Sequence, residues 1–126
     1  MQSPPRYLLE RSGLSERRPV EDRHCMARMI ENTNLLVTAW EGELWVGMAR
    51  SVTDSVYCCY LSDLAGDRDF QKKGIGRGLI RLTQNELGDK CSLILLSAPA
   101  ASNYYPHLGF EQHSSAWGLS KGRLDG

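Results

Sequence analysis

The segment Gln71-Lys72-Lys73-Gly74-Ile75-Gly76-Arg77-Gly78 places three glycines and three bases in eight residues, directly ahead of Leu79, Ile80, Leu82 and Leu87 at helical spacing. A helix start presents unbonded backbone N–H groups and the positive end of the helix dipole, so it attracts anions. Glycines there let phosphate oxygens reach the main chain without meeting a Cβ atom. The local charge agrees: residues 71–90 hold five bases and two acids, whereas residues 54–70 hold four acids and one base. The chemistry indicated is retention of a phosphorylated ligand. A P-loop is absent, and a dinucleotide fingerprint begun at Gly74 would need glycine or alanine where Leu79 stands. A glycine-rich turn whose bases only face water is the plain alternative.

The four cysteines, Cys25, Cys58, Cys59 and Cys91, form no C-x-x-C pair. They read as small semi-buried residues in a reducing compartment, leaving Cys58 or Cys59 as a residual nucleophile. No disulfide framework and no metal site are expected.

The elements that must position the glycine-rich segment follow from periodicity. Ser3-Pro4 and Tyr7 to Leu9 before Gly13 suit a short N-terminal helix. Val20 to Asn32 suits a second helix with Glu21 and Asp22 in its first turn. Leu35–Trp40, a turn at Glu41-Gly42-Glu43, Leu44–Val52 and Val56–Leu64 read as three successive antiparallel strands. A helix is expected from Gly74 to Leu87, stopping at Gly88. Ser92 to Leu96 reads as a parallel strand buried on both faces, Ala101 to Leu108 as a short helix, and Phe110 to Leu119 as a last strand.

At 126 residues with 15 Lys plus Arg against 15 Asp plus Glu, the chain has the size and balance of one domain, 1–126. Zero net charge argues against binding bulk nucleic acid or an anionic membrane. No run is long and apolar enough to span a bilayer, and the N-terminus lacks a secretory core, so a cytoplasmic location is expected.

Three motifs in order resemble the GNAT superfamily of acyl-CoA N-acyltransferases, of the small stand-alone bacterial type. They are Tyr60-Leu61-Ser62-Asp63-Leu64-Ala65, the Q/R-x-x-G-x-G/A loop as Gln71 to Gly76, and Ala101 to Phe110, which looks like A-x-x-F-Y-x-x-x-G-F. The resemblance covers roughly residues 20 to 120. It implies an α/β fold of the α+β type: a mixed, mostly antiparallel central sheet flanked by helices and splayed between the family's fourth and fifth strands. The family's first strand is expected to be short or missing, its place taken by the first few residues or by a partner chain.

The resemblance also implies the roles. The main chain of Leu64, Ala65 and Gly66 would pair with the pantetheine amides of acetyl-CoA, and an N–H there would polarise the thioester carbonyl. The family often has valine where Gly66 stands, which alters the shape of that contact but not its main-chain hydrogen bonds. Gln71, Lys72, Lys73, Gly74, Ile75, Gly76, Arg77 and Gly78 would wrap the pyrophosphate. Tyr105 matches the tyrosine that protonates the departing thiolate, a phenol of pKa about 10 suiting that exchange. Tyr104 stands where the family prefers phenylalanine and would pack against the cofactor, and Asn103 would reach the pantetheine arm.

For the general base, Asp63, Glu31 and Glu41 are the candidates, with His24, His107 and His113 read as surface residues. Trp40, Trp45 and Trp117 either line an acceptor pocket or pack the sheet. The expected activity is N-acetylation of a primary amine on a small molecule or peptide by direct attack, without a metal. Rival readings are a non-catalytic acyl-CoA sensor and a nucleotide-binding regulatory domain. Homodimerisation is left open.

Overall fold

Asp22 turns its carboxylate onto the N–H of Cys25 at 2.9 Å and so caps a helix, α1, Arg23–Glu31. The two acids expected inside the first turn therefore stand before it: an aspartate that bonds a main-chain N–H ends the non-helical approach instead of joining the helix. At the other end Asn32 Nδ2 and Thr33 Oγ1 each donate at 2.8 Å to carbonyls of the last turn, those of Arg28 and Met29.

The computed structural model describes residues 18–70 and 74–124. The expected N-terminal helix and the question of the family's first strand fall in 1–17, and Gln71, Lys72 and Lys73 in 71–73, outside the described residues. The chain divides into two units, Met1–Leu96 and Ser97–Gly126, each with its own architecture.

The first unit holds a four-stranded sheet in the order β1, Leu35–Glu41; β2, Leu44–Thr53; β3, Cys58–Gly66; β4, Ser92–Ile94. The first three are antiparallel, and β4 is parallel to β3. Gly42 opens the two-residue β1–β2 loop at φ +58, a conformation that primed hairpin turns require. One bulge sets Val46 without a partner between the pairs Ala39↔Gly47 and Trp40↔Trp45, and another leaves Ser62 unpaired between Arg50↔Asp63 and Ser51↔Leu61.

The helix α2, Ile75–Asn85, buries Leu79, Ile80 and Thr83. Leu82, expected on that face, is 53% exposed. Alternation along β2 separates the two helices. Met48 clusters with Val20, Met26 and Ala65, whereas a Cβ on the neighbouring Gly47 would come within 2.9 Å of Ile75 Cγ2 and 3.2 Å of Leu79 Cδ1. Thus α1 lies on one face of the sheet and α2 on the other, and Gly47 sets how closely α2 approaches.

The strand expected to be buried on both faces is shorter and more open. Only Ser92–Ile94 pairs, and Ser92 and Ile94 are exposed, because β4 lies at a sheet edge among the described residues. In the second unit the expected helix is two 3-10 turns, Pro99–Ala101 and Tyr105–Leu108. Pro106 supplies no N–H to a longer helix, and Gly109 ends the second turn at φ +93. Residues 110–124 contain no strand among the described residues. Residues 111–124 are exposed throughout, and among the described residues none of them pairs with a strand, as an extended segment needs to satisfy its main-chain groups.

The β2–β3 connection anchors the sheet's parallel pair. The Asp54 carboxylate accepts from the N–H groups of Val56 (3.0 Å), Tyr57 (2.8 Å) and Cys58 (3.0 Å). The same turn receives Gly88 N–H on Ser55 O at 2.8 Å and Ser92 N–H on Tyr57 O at 3.1 Å, which fixes where the chain re-enters the sheet.

Hydrogen bonds from Tyr57, then Cys58 and Val56, hold Asp54 down from 3.8 to about 2. A depressed carboxylate contributes stability that is complete above its unfolded value and lost as pH falls through its folded one. The melting temperature should therefore decline between about pH 4 and pH 2 more in the unmodified protein than in Asp54→Asn, as followed by circular dichroism. Gly47→Ala should lower stability by about 1–3 kcal/mol in denaturant titration, because the new methyl forces α2 outward.

Candidate functional site

Parallel pairing between β3 and β4 covers Cys58↔Ser92, Cys59↔Leu93 and Tyr60↔Ile94 and then stops, although β3 continues to Gly66. Alternate main-chain groups of a strand point to either side, so those of Leu61–Gly66 that do not serve β2 face the side from which β4 has departed. This is the splay the motifs implied. The arrangement leaves a strand edge of a length that could accept an extended, amide-bearing ligand as an added strand.

The same strand leads to the anion-attracting helix start. Asp67 donates its N–H to Val46 O at 2.8 Å, and its carboxylate accepts from the N–H of Asp69 at 3.0 Å, so a tight turn follows Gly66. Gly74 stands at the cap of α2 with φ +77, a left-handed conformation in which other residues are strained, and its carbonyl accepts the N–H of Gly78 at 3.1 Å. A Cβ at Gly78 would meet nothing within 4 Å. Leu64, Ala65 and Gly66 are thus joined by a short connection to Gly74, Ile75, Gly76, Arg77 and Gly78, with Arg77 exposed.

Asp63 has a different setting from that of an accessible base. It is 1% exposed, and its two oxygens are taken by two guanidinium groups: Arg18 Nε donates to Oδ1 at 2.5 Å and Arg50 Nε to Oδ2. Arg18 and Arg50 stand in none of the sequence motifs. The signal available was an arginine and an aspartate each placed inside an otherwise apolar strand, a pattern that burial tolerates only in pairs.

Other candidates are spread out. Glu31 is exposed and reaches Arg28 at 3.4 Å, Glu41 is exposed at the end of β1, and His24, His107 and His113 are exposed. Trp45 packs on the cluster of Val20, Met26, Met48 and Ala65. Trp40, 55% exposed, stacks on it with centroids 5.8 Å apart, and Trp117 is exposed. Cys59 is buried, and loss of hydration pushes the Cys91 thiol up, away from the thiolate a nucleophile needs. Among the described residues, no group of three or more His, Cys, Asp or Glu is arranged to hold a metal ion. Nor is any described helix long and apolar enough to cross a membrane.

In the second unit Tyr105 is half-buried and held edge-on by two rings, Tyr104 with centroids 5.4 Å away and Phe110 at 5.5 Å. The turn that creates this cluster is closed by Phe110 N–H on Tyr105 O at 3.2 Å. Tyr104, expected against the cofactor, packs here on the Tyr105 ring. Asn103 is exposed between the two 3-10 turns.

Comparison with solved structures matches this fold repeatedly. A protein of unknown function from methicillin-resistant Staphylococcus aureus shares 17% identity and a TM-score of 0.73 over 93% of this chain and 89% of its own. A GNAT-family acetyltransferase from Streptococcus pneumoniae shares 18% identity and a TM-score of 0.63 over 79% and 80%. An aminoglycoside acetyltransferase from an uncultured soil metagenomic sample, solved in complex with trehalose, shares 19% identity and a TM-score of 0.64 over 94% and 90%. No curated protein sequence matches the chain. A family model for the acetyltransferase (GNAT) domain matches residues 12–121. With that match spanning most of the sequence and the splayed sheet beneath it, the chain belongs to the GNAT family of acyl-CoA-dependent acetyltransferases.

Proposed function

We propose that this protein transfers an acetyl group from acetyl-CoA to a primary amine of a small molecule or peptide by direct attack. The observation that carries the reading is the end of β3–β4 pairing at Tyr60, on a strand that runs on to Gly66, with the Gly74 helix start following in the sequence. In this reading the main chain of Leu64, Ala65 and Gly66 takes the pantetheine amides, and an N–H there stabilises the developing oxyanion. Such a donor is worth about 2.7–4 kcal/mol. Gln71, Lys72, Lys73 and the segment Gly74–Gly78 hold the pyrophosphate, with main-chain N–H groups and the helix dipole as the attraction. Asn103 and Tyr104 are assigned to the cofactor by the motif in which they stand.

Tyr105 donates the proton that the leaving CoA thiolate requires, its ring orientation set by Tyr104 and Phe110. The nitrogen forms the new bond to the acyl carbon, the C–S bond breaks, and the amine's proton leaves to solvent. Asp63 is assigned a structural part: accepting that proton would cost the buried carboxylate its bonds to two guanidiniums.

Incubation with acetyl-CoA and an amine library, with free thiol as the readout, tests the reading. Thiol release dependent on the amine is expected, and tight CoA binding with no release would identify a sensor instead. Tyr105→Phe should lower kcat on the order of 100-fold while CoA affinity by calorimetry stays within about twofold. Gly74→Ala should weaken CoA binding by on the order of tenfold, since a methyl at φ +77 costs roughly 1–2 kcal/mol and displaces the helix start.

A further inference from the structure

The bulged residue of β3 is held unusually firmly. Ser62 has no cross-strand partner on β2, and the extra residue of a bulge is ordinarily the least restrained part of a ladder. Here two arginines from different parts of the chain converge on it. Arg18 Nη2 donates to the Ser62 carbonyl at 2.7 Å while its Nε holds Asp63, and Arg50 Nη2 donates to Ser62 Oγ at 2.9 Å while its Nε holds the other oxygen of Asp63. Arg50 Nη1 reaches on to Thr33 Oγ1 at 3.2 Å and Met29 O at 3.3 Å, at the end of α1. The main-chain oxygen and the hydroxyl of the bulged residue, and both oxygens of the next, thus each accept from a cation.

We infer that Arg18 and Arg50 are positioning residues that lock the Ser62–Asp63 bulge and so aim those N–H groups of the Leu64–Gly66 segment that point away from β2 into the splay. The consequence for catalysis rests on the transferase reading above. The planar, forked guanidinium is suited to the task, because one side chain can hold a carbonyl and a carboxylate at once in fixed directions. An ammonium has charge but no such fork. A purely stabilising contact would need no polar groups here, since apolar residues of similar volume commonly replace a buried ion network without loss of stability. The direction of a strand N–H, by contrast, depends on the local backbone, and a donor moved off the oxyanion's position loses its effect on the transition state.

Arg18→Lys is the informative change, because Arg18 lies at the partly exposed edge of the network, 18% exposed, and the lysine keeps the charge. Amide hydrogen exchange should show protection at Ser62–Ala65 falling at least tenfold while the amides of β1 are unchanged. With an amine that the unmodified protein acetylates, kcat should fall at least tenfold with KM for acetyl-CoA within twofold and a melting curve that stays cooperative. Arg18→Ala should behave likewise and recover part of its kcat in millimolar guanidinium. Unchanged exchange at Ser62–Ala65, or a kcat that falls only in proportion to the folded fraction, overturns the inference. Absence of thiol release by the unmodified protein overturns the transferase reading instead, and the exchange result still decides whether the clamp exists.

Discussion

Three residue pairs join β3 to β4, and the use of the whole first unit turns on their number. A longer parallel ladder would occupy the side of β3 that faces away from β2 and close the edge. A shorter one would leave β4 unattached, since three residues of parallel pairing are already marginal on their own. The vertex is held by its surroundings. The Asp54 turn receives both Gly88 and Ser92 through main-chain hydrogen bonds, so the chain returning from α2 meets β3 at one place only. The short ladder therefore begins at a fixed re-entry point and ends at Ile94.

Close packing of α2 complements this. Gly47 removes a side chain from the middle of β2, and Ile75 and Leu79 occupy the space. The helix start is thereby brought close against the sheet within a few residues of where β3 ends. Strand edge and helix terminus offer two kinds of main-chain donor: one set spaced for amides, the other converging on an anion. Neither relies on a particular side chain, which suits a cofactor whose handle is a long polar arm ending in phosphates.

The opposite face carries a buried charge network beside the apolar cluster of Val20, Met26, Met48 and Ala65. Removing one partner from such a pair leaves an uncompensated charge and costs about 3–5 kcal/mol, whereas the intact network contributes little net stability. Its value lies in direction. Arg18 belongs to the segment before α1, Arg50 to β2 and Asp63 to β3, so the network ties three separate stretches to the bulge. Asp63, the carboxylate whose position on the central strand suggested a base, is the acceptor at its centre.

The sequence by itself determined the local features: three antiparallel strands and the helix after the glycines. Each depends on residues close together in the chain, where periodicity, turn chemistry and backbone sterics act directly. The motifs reached further, to the splay and the family. Only the tertiary structure decided what Asp63 touches, how short β4 is, that Leu82 faces water and that 110–124 form no strand among the described residues. Those outcomes depend on partners far away in sequence: Arg18 lies 45 residues from Asp63, and a strand exists only where another strand takes its hydrogen bonds. A hydrophobic run states that burial is favourable, while the packed structure determines which side is covered.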